Sequence, residues 1–186
     1  MFFLAKPGEK QIRARFRTKA SGRHRFDPAL HMADHNRVEL GRGEPIFRRA
    51  ARSIREWRMF DIGWVTVHPP GARIKERAVV GVVVYHVGFW SVNPARILET
   101  IDQPRRFGFT YGTLPGHAEE GEERFLVEWL DDDSVWYDLR AFSRPNHWLA
   151  WLGYPLTRLL QKRFARDSLK AMLRARESYL QSPLAK

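Results

Sequence analysis

Between Ile62 and Arg144 apolar residues recur at every second position, the spacing of strands with one buried face. Arg106–Thr113 alternates most cleanly, with Phe107, Phe109, Tyr111 and Thr113 on one face. Glu123–Trp129 places Phe125, Val127 and Trp129 together, and Val135–Ser143 does the same for Val135, Tyr137, Leu139 and Ala141. Ile62–His68, the Val-rich Ala78–Val87 and Ala95–Ile101 read as further strands, and a short one is predicted at Val38–Leu40. Turns are expected at Pro69-Pro70-Gly71, Asn93-Pro94 and Asp131-Asp132-Asp133. The connections are short, so the strands are expected to pair as antiparallel hairpins.

Two segments follow the helical period instead. Phe47, Ala50, Ala51, Ile54 and Trp57 share one face of a helix predicted from about Glu44 to Trp57, behind Gly41 and Gly43. A longer helix is predicted from Pro155 to Tyr179, with Leu156, Leu159, Leu160, Phe164, Leu169, Met172 and Leu173 as its apolar stripe. Such a stripe needs a covering surface, and the sheet is the only large one the sequence offers. The expectation is an α+β domain over residues 36–181, preceded by a basic, loosely packed arm (1–35) and followed by a short tail (182–186).

Composition narrows this picture. The chain has 186 residues, 44% of them apolar, enough for one real core. It contains no cysteine, so no disulfide or thiolate metal site holds it, which suits a reducing, cytoplasmic setting. The longest apolar run, Ala78 to Trp90, is broken by His86 and falls short of the ~20 residues of a membrane span. The start has no secretory pattern. The net charge of +11 is uneven. Residues 1–30 hold eight Lys/Arg against two acids, and residues 158–177 hold seven against two. That basic surface would attract an anionic membrane more readily than nucleic acid, because no recognised nucleic-acid reader motif is present.

Several local motifs agree in order with one family. They are Trp57-Arg58-Met59-Phe60, Val67-His68-Pro69-Pro70, Trp90-Ser91-Val92-Asn93-Pro94, Phe107 to His117, Gly121-Glu122-Glu123 and Ala141-Phe142-Ser143-Arg144-Pro145. Over about Val38 to Arg174 the chain resembles the domain-of-unknown-function family DUF1990. The order of elements also resembles the helix-grip fold of the steroid-transfer (START) and birch-pollen-allergen (Bet v 1) superfamily. The resemblance implies a curved antiparallel sheet of six to seven strands wrapped around a long C-terminal helix, with one shorter helix before it. It implies no established activity.

A helix-grip fold can leave a cavity between sheet and helix. The residues expected to line it are Phe107, Phe109, Tyr111, Glu123, Phe125, Val127, Trp129, Tyr137, Arg144 and Phe164, with Met172 beside them. The competing expectation is a solidly packed interior, the usual condition of proteins. Glu123 shares a face with Phe125, so its carboxylate needs a partner among Arg96, Arg144 and His117, or an upward-shifted pKa that makes it a candidate acid or base. The acidic stretch from Gly116 to Glu123 offers His117 with Glu119 and Glu122 or Glu123 as metal ligands, but at no recognised spacing, and neither metal nor cofactor is expected. No Ser/His/Asp elbow, Walker or dinucleotide motif occurs. Binding of a small apolar or amphipathic ligand is therefore expected ahead of catalysis by Glu123, His117 or Arg144, and ahead of docking on a membrane.

Overall fold

The computed structural model describes residues 2–16, 23, 27, 32–117, 119–145 and 154–180. Eight antiparallel strands form one sheet: β1 (Phe2–Phe3), β2 (Met32–Arg42), β3 (Val65–His68), β4 (Val79–His86), β5 (Phe89–Gln103), β6 (Arg106–Thr113), β7 (Glu119–Trp129) and β8 (Ser134–Pro145). The order across the sheet is β2-β8-β7-β6-β5-β4-β3, and β1 pairs with β5. Among the described residues three α-helices accompany it, α1 (Glu9–Arg13), α2 (Glu44–Arg55) and α3 (Tyr154–Leu180). Among the described residues no helix is long and apolar enough to cross a membrane.

Strand β6 has the predicted bounds, but its neighbours run longer than predicted. The largest difference is β5, which continues straight through Asn93-Pro94. The turn before it is at Val87-Gly88 instead, where Gly88 has φ +99°. Pro94 fits inside a strand because its carbonyl accepts from Leu114 N–H on the β6 side, just past the end of β6. Its missing N–H would point into the same gap, where no strand asks for a donor.

Residues 2–16, expected as part of a loose arm, carry β1 and α1. Ile12, 1% exposed, packs with Val83 and Val92 on the outer face of the sheet. The predicted strand at Val38 is the end of an 11-residue strand that begins at Met32 and pairs along β8. Residues 17–22 and the tail after Leu180 lie outside the described residues.

The sheet curls at Gly108 and Gly121. A Cβ on Gly121 would stand 1.9 Å from the Phe142 carbonyl oxygen, and one on Gly108 would stand 2.1 Å from that of Phe125. At both points one strand rolls its face onto the backbone of the next, an approach only glycine permits.

One half of the concave face is filled. Phe109, Phe125, Val127, Val135 and Tyr137 pack under α2 and the 3-10 turn Arg58–Phe60. Phe47, Ala50, Ala51 and Ile54 of α2 are buried there, as its periodicity predicts. Trp57 closes that helix with φ +59°, and its indole N–H donates to Ala72 O at 2.7 Å.

Helix α3 lies along the same concavity; of its predicted stripe Met172 is buried and Phe164, Leu169 and Leu173 pack against the core. Ala165, Ser168, Ala171, Met172 and Ala175 are the buried positions, whereas Leu159 is 63% exposed. Small residues let the helix axis approach the sheet, and Ser168 Oγ meets the Tyr137 hydroxyl at 2.9 Å. The guanidinium groups of Arg174 and Arg176 donate to Asp61 O and Leu40 O, fastening the C-terminal half.

Candidate functional site

The other half of the concave face is not filled. Between it and the first turns of α3 lies a cavity of about 1060 Å³. Strand alternation explains which residues reach it. Val82, Val84 and His86 (β4), Ser91 and Asn93 (β5), Tyr111 and Thr113 (β6), Glu119 and Glu123 (β7), and Leu139, Ala141 and Ser143 (β8) all face inward there. Leu160, Gln161, Phe164, Ala165 and Leu169 of α3 close the opposite side, with Phe60 and Trp64 at the floor.

Of the ten residues expected to line a pocket, Tyr111, Glu123 and Phe164 do so. Phe109, Phe125, Val127 and Tyr137 lie in the packed core beside it. Phe107 is also core, with the Arg55 guanidinium 3.8 Å over its ring. Trp129 stands at the far end of the sheet, stacked on Phe47 and beneath Arg105. Arg144 points to the other face and forms a bidentate pair with Glu120 at 2.9 and 3.0 Å. Met172 is buried away from the cavity in the core.

Glu123 is the central polar group. Its Oε2 accepts from the Tyr111 hydroxyl at 2.5 Å, and neither Arg96, Arg144 nor His117 partners it. Burial pushes its carboxyl up to about 7, the Tyr111 hydrogen bond opposes this, and the charges of Glu119 and Asp34 add to it. Burial, with Glu123 beside it, also raises the Tyr111 hydroxyl well above its usual value. Tyr111 therefore acts as a donor across the physiological range.

A second polar network ties three strands to α3. Arg158 donates to both oxygens of Asp34, at 2.5 and 2.8 Å, and to Gln161 Oε1 at 2.5 Å. Gln161 Nε2 in turn reaches both oxygens of Glu119 at 2.7 Å and Ser143 Oγ at 2.9 Å. Hydrogen bonding to Arg158 holds the Asp34 carboxyl below its usual value. Burial raises that of Glu119, against the hydrogen bonds from Gln161 and Ser143.

Sequence reasoning missed Asp34, Glu119 and Gln161 as cavity groups, and Arg158 as the residue that holds two of them. For Glu119 a signal existed, because extending the alternation back from Glu123 puts it on the same face. For Asp34 none did, because its place depends on pairing with Ala141 across more than a hundred residues.

At the opposite end His86 Nε2 meets Ser91 Oγ at 2.8 Å, and Asn93 Nδ2 donates to Ser91 Oγ at 2.9 Å and to Val82 O at 3.3 Å. Burial lowers the His86 pKa, which keeps the ring neutral. The acids of the Gly116–Glu123 stretch diverge, Glu120 outward to Arg144 and Glu119 inward to Gln161. Among the described residues no three His, Asp or Glu side chains gather to hold a metal ion.

Residues 17–171 match the family described as domain of unknown function DUF1990. The chain belongs to that family. It is 38% identical over 154 residues to a UPF0548 protein of Dictyostelium discoideum, covering 76% of this chain and 71% of the relative. It is 38% identical over 160 residues to a UPF0548 protein of Deinococcus radiodurans, covering 80% of each. Solved structures with the same fold include Ara h 8.0201, at TM-score 0.51 and 12% identity over 80% of this chain and 99% of that one. Hypothetical protein jhp0584 from Helicobacter pylori aligns at TM-score 0.52 and 14% identity, over 80% of this chain and 86% of that one. At these identities the likeness establishes the fold of this DUF1990 chain, Bet v 1-like and helix-grip, as its motifs led one to expect.

Proposed function

We propose that the chain is a binding module for a small apolar or amphipathic ligand, held between the sheet and α3. The observation that carries this reading is the cavity itself. Interiors are close-packed, and a void of about 1060 Å³ reaches the upper range of ligand pockets, roughly 300–1,000 Å³. Its walls are mainly aliphatic and aromatic, with a few convergent polar groups, which suits a ligand with an oily body and one polar end. Catalysis at this site would run through Glu123, which faces the cavity with its carboxyl raised to about 7.

Native mass spectrometry of the purified protein tests for a ligand carried through purification. A titration with the neutral apolar fluorophore N-phenyl-1-naphthylamine tests the cavity directly. Replacing Ala141 by Phe, which fills the cavity from the β8 wall, is expected to weaken that probe by tenfold or more while leaving the circular dichroism spectrum unchanged. Unchanged probe affinity in the filled variant would count against the reading.

A second reading, contact with an anionic membrane surface, is favoured by the rim of the cavity. Val87 is 90% exposed and Phe2 62%, and the exposed Lys162 and Arg166 of α3 border the same opening. Sedimentation with phosphatidylcholine vesicles containing phosphatidylserine is expected to pellet the protein at low salt. It should release it as ionic strength shortens the screening length toward about 8 Å. Binding that ignores salt would exclude an electrostatic contribution.

A further inference from the structure

We propose that the ligand is neutral or cationic and presents a hydrogen-bond donor, an amine or a hydroxyl, to the Glu123 carboxyl, and that the cavity discriminates against carboxylates. This rests on the ligand-binding reading above and specifies the chemistry of the same site.

The argument is one of uncommitted groups. Three carboxyls, Asp34, Glu119 and Glu123, face one end of the cavity. The cation closest to them in the structure, Arg158, is 15% exposed and spends its guanidinium on Asp34 and Gln161. The amide donors of Gln161 are directed at Glu119 and Ser143. Lys162 and Arg166 are the cations on the lining itself, and both stand at the exposed rim. Among the described residues no inner cation is therefore left to offset the repulsion on a carboxylate ligand beside Glu119 and Glu123.

Acceptor capacity, by contrast, is left over. Glu123 receives one hydrogen bond, at Oε2 from Tyr111, and its other oxygen is unmatched. At the far wall Asn93 Oδ1 is also buried without a partner. The Val82 carbonyl can only accept, which fixes the Asn93 amide with its nitrogen toward Val82 and its oxygen unmatched. Phe60, Trp64 and Phe164 add aromatic rings to the lining, surroundings that suit an ammonium or a neutral ring better than an anion.

Ligand charge and pH should therefore be linked. The groups that bear on Glu123 are Tyr111 from β6, Glu119 from β7, Asp34 from β2 and Tyr137 from β8, with Arg158 and Lys162 acting from α3 through Asp34. His117 also lines the cavity, with Nδ1 accepting from the Glu119 amide at 3.1 Å. Of these, Glu123 is the carboxyl that loses its proton near neutrality, so an ammonium ligand gains its counter-charge as pH rises.

Three probes with one skeleton test the proposal in competition with bound N-phenyl-1-naphthylamine: 2-(2-naphthyl)ethylamine, 2-(2-naphthyl)ethanol and 2-naphthylacetate. The amine and the alcohol are expected to displace the fluorophore, with the acetate at least about tenfold weaker, a difference of about 1.4 kcal/mol. The amine should tighten between about pH 6 and about pH 8, where it stays protonated itself. Glu123→Gln should weaken the amine about tenfold and remove this pH dependence, while the alcohol changes by less than about threefold. Acetate binding equal to or tighter than that of the amine would overturn the proposal and leave the ligand-binding reading standing. Fluorophore binding with no displacement by any probe would do the same. Failure of the fluorophore to bind at all would remove the ligand-binding reading, and this proposal with it.

Discussion

Gly121→Ala is expected to destabilise the protein by on the order of 3 kcal/mol, and Gly108→Ala by a similar amount. Neither position has the positive φ at which alanine is strained by its own backbone, so the effect comes from the neighbour. At Gly121 the new Cβ meets the Phe142 carbonyl oxygen at 1.9 Å and Ser143 Cα at 2.7 Å. At Gly108 it meets Phe125 O at 2.1 Å and Leu126 Cα at 2.8 Å. All four obstacles are backbone atoms of a paired strand, and they cannot swing aside as a side chain would. Relief requires β7 to lift from β8, or β6 from β7, at the points where the sheet curls. For a chain of this length about 3 kcal/mol corresponds to a fall in Tm of roughly 6–12 °C. Gly8→Ala is the control, because its Cβ would find only the Gln11 carboxamide oxygen at 3.8 Å, and a change within about 0.5 kcal/mol is expected. Urea unfolding of the three variants measures this. A Gly121→Ala protein as stable as Gly8→Ala would show that the curl is not locked by close backbone approach.

That curl separates what was legible in the sequence from what was not. Local alternation located β6 to the residue, because a hairpin strand with Phe107, Phe109 and Tyr111 on one face carries its own register. It identified α2 for the same reason, since Phe47, Ala50, Ala51 and Ile54 lie within one helix. The reading failed where a local signal met a non-local answer. Pro94 looked like a turn, and it sits in a strand only because β6 ends beside it. The apolar stripe of α3 holds at Phe164, Leu169, Met172 and Leu173, but the deepest positions also include the small Ala165, Ser168, Ala171 and Ala175, and Leu159 is exposed. Aromatic residues were assigned to a pocket as a group, yet the floor supplied by Trp57, Met59 and Phe60 divides the concave face. Phe109 and Phe125 fall on the filled side and Tyr111 on the open side. No strand pattern encodes where a cover from elsewhere in the chain will stop. Glu123 emerged from alternation alone, but its partner Tyr111 needed the β6–β7 register.

Glu123→Gln is expected to stabilise the folded protein at alkaline pH and to leave it nearly unchanged at acidic pH. The sign follows from linkage. A carboxyl of ordinary value 4.5 that folding raises to about 7 binds its proton more tightly in the native state than in the unfolded chain. Between these two values the unfolded state releases the proton first, so the contribution of this group to stability falls as pH rises. The full penalty is reached only above about pH 7. Integrated over the window, the shift corresponds to at most about 3 kcal/mol, and access of water through the cavity reduces this to roughly 2 kcal/mol. Glutamine keeps an oxygen that accepts from the Tyr111 hydroxyl and removes the charge that burial, Glu119 and Asp34 all disfavour. The variant should therefore exceed the wild type by roughly 4–8 °C in Tm at about pH 8, and the two should converge only as pH falls below 4.5. Differential scanning calorimetry across that range measures the crossing. A wild type that is the more stable protein at pH 8 would mean that Glu123 has a cationic partner, which would also remove the unmatched carboxylate from the cavity. The same protonation step then connects fold to function, because a ligand donor that satisfies the carboxylate recovers at high pH the stability that folding gave up. For that reason 2-(2-naphthyl)ethylamine should raise the Tm of the wild type more at pH 8 than at pH 5, and should lose that advantage in Glu123→Gln.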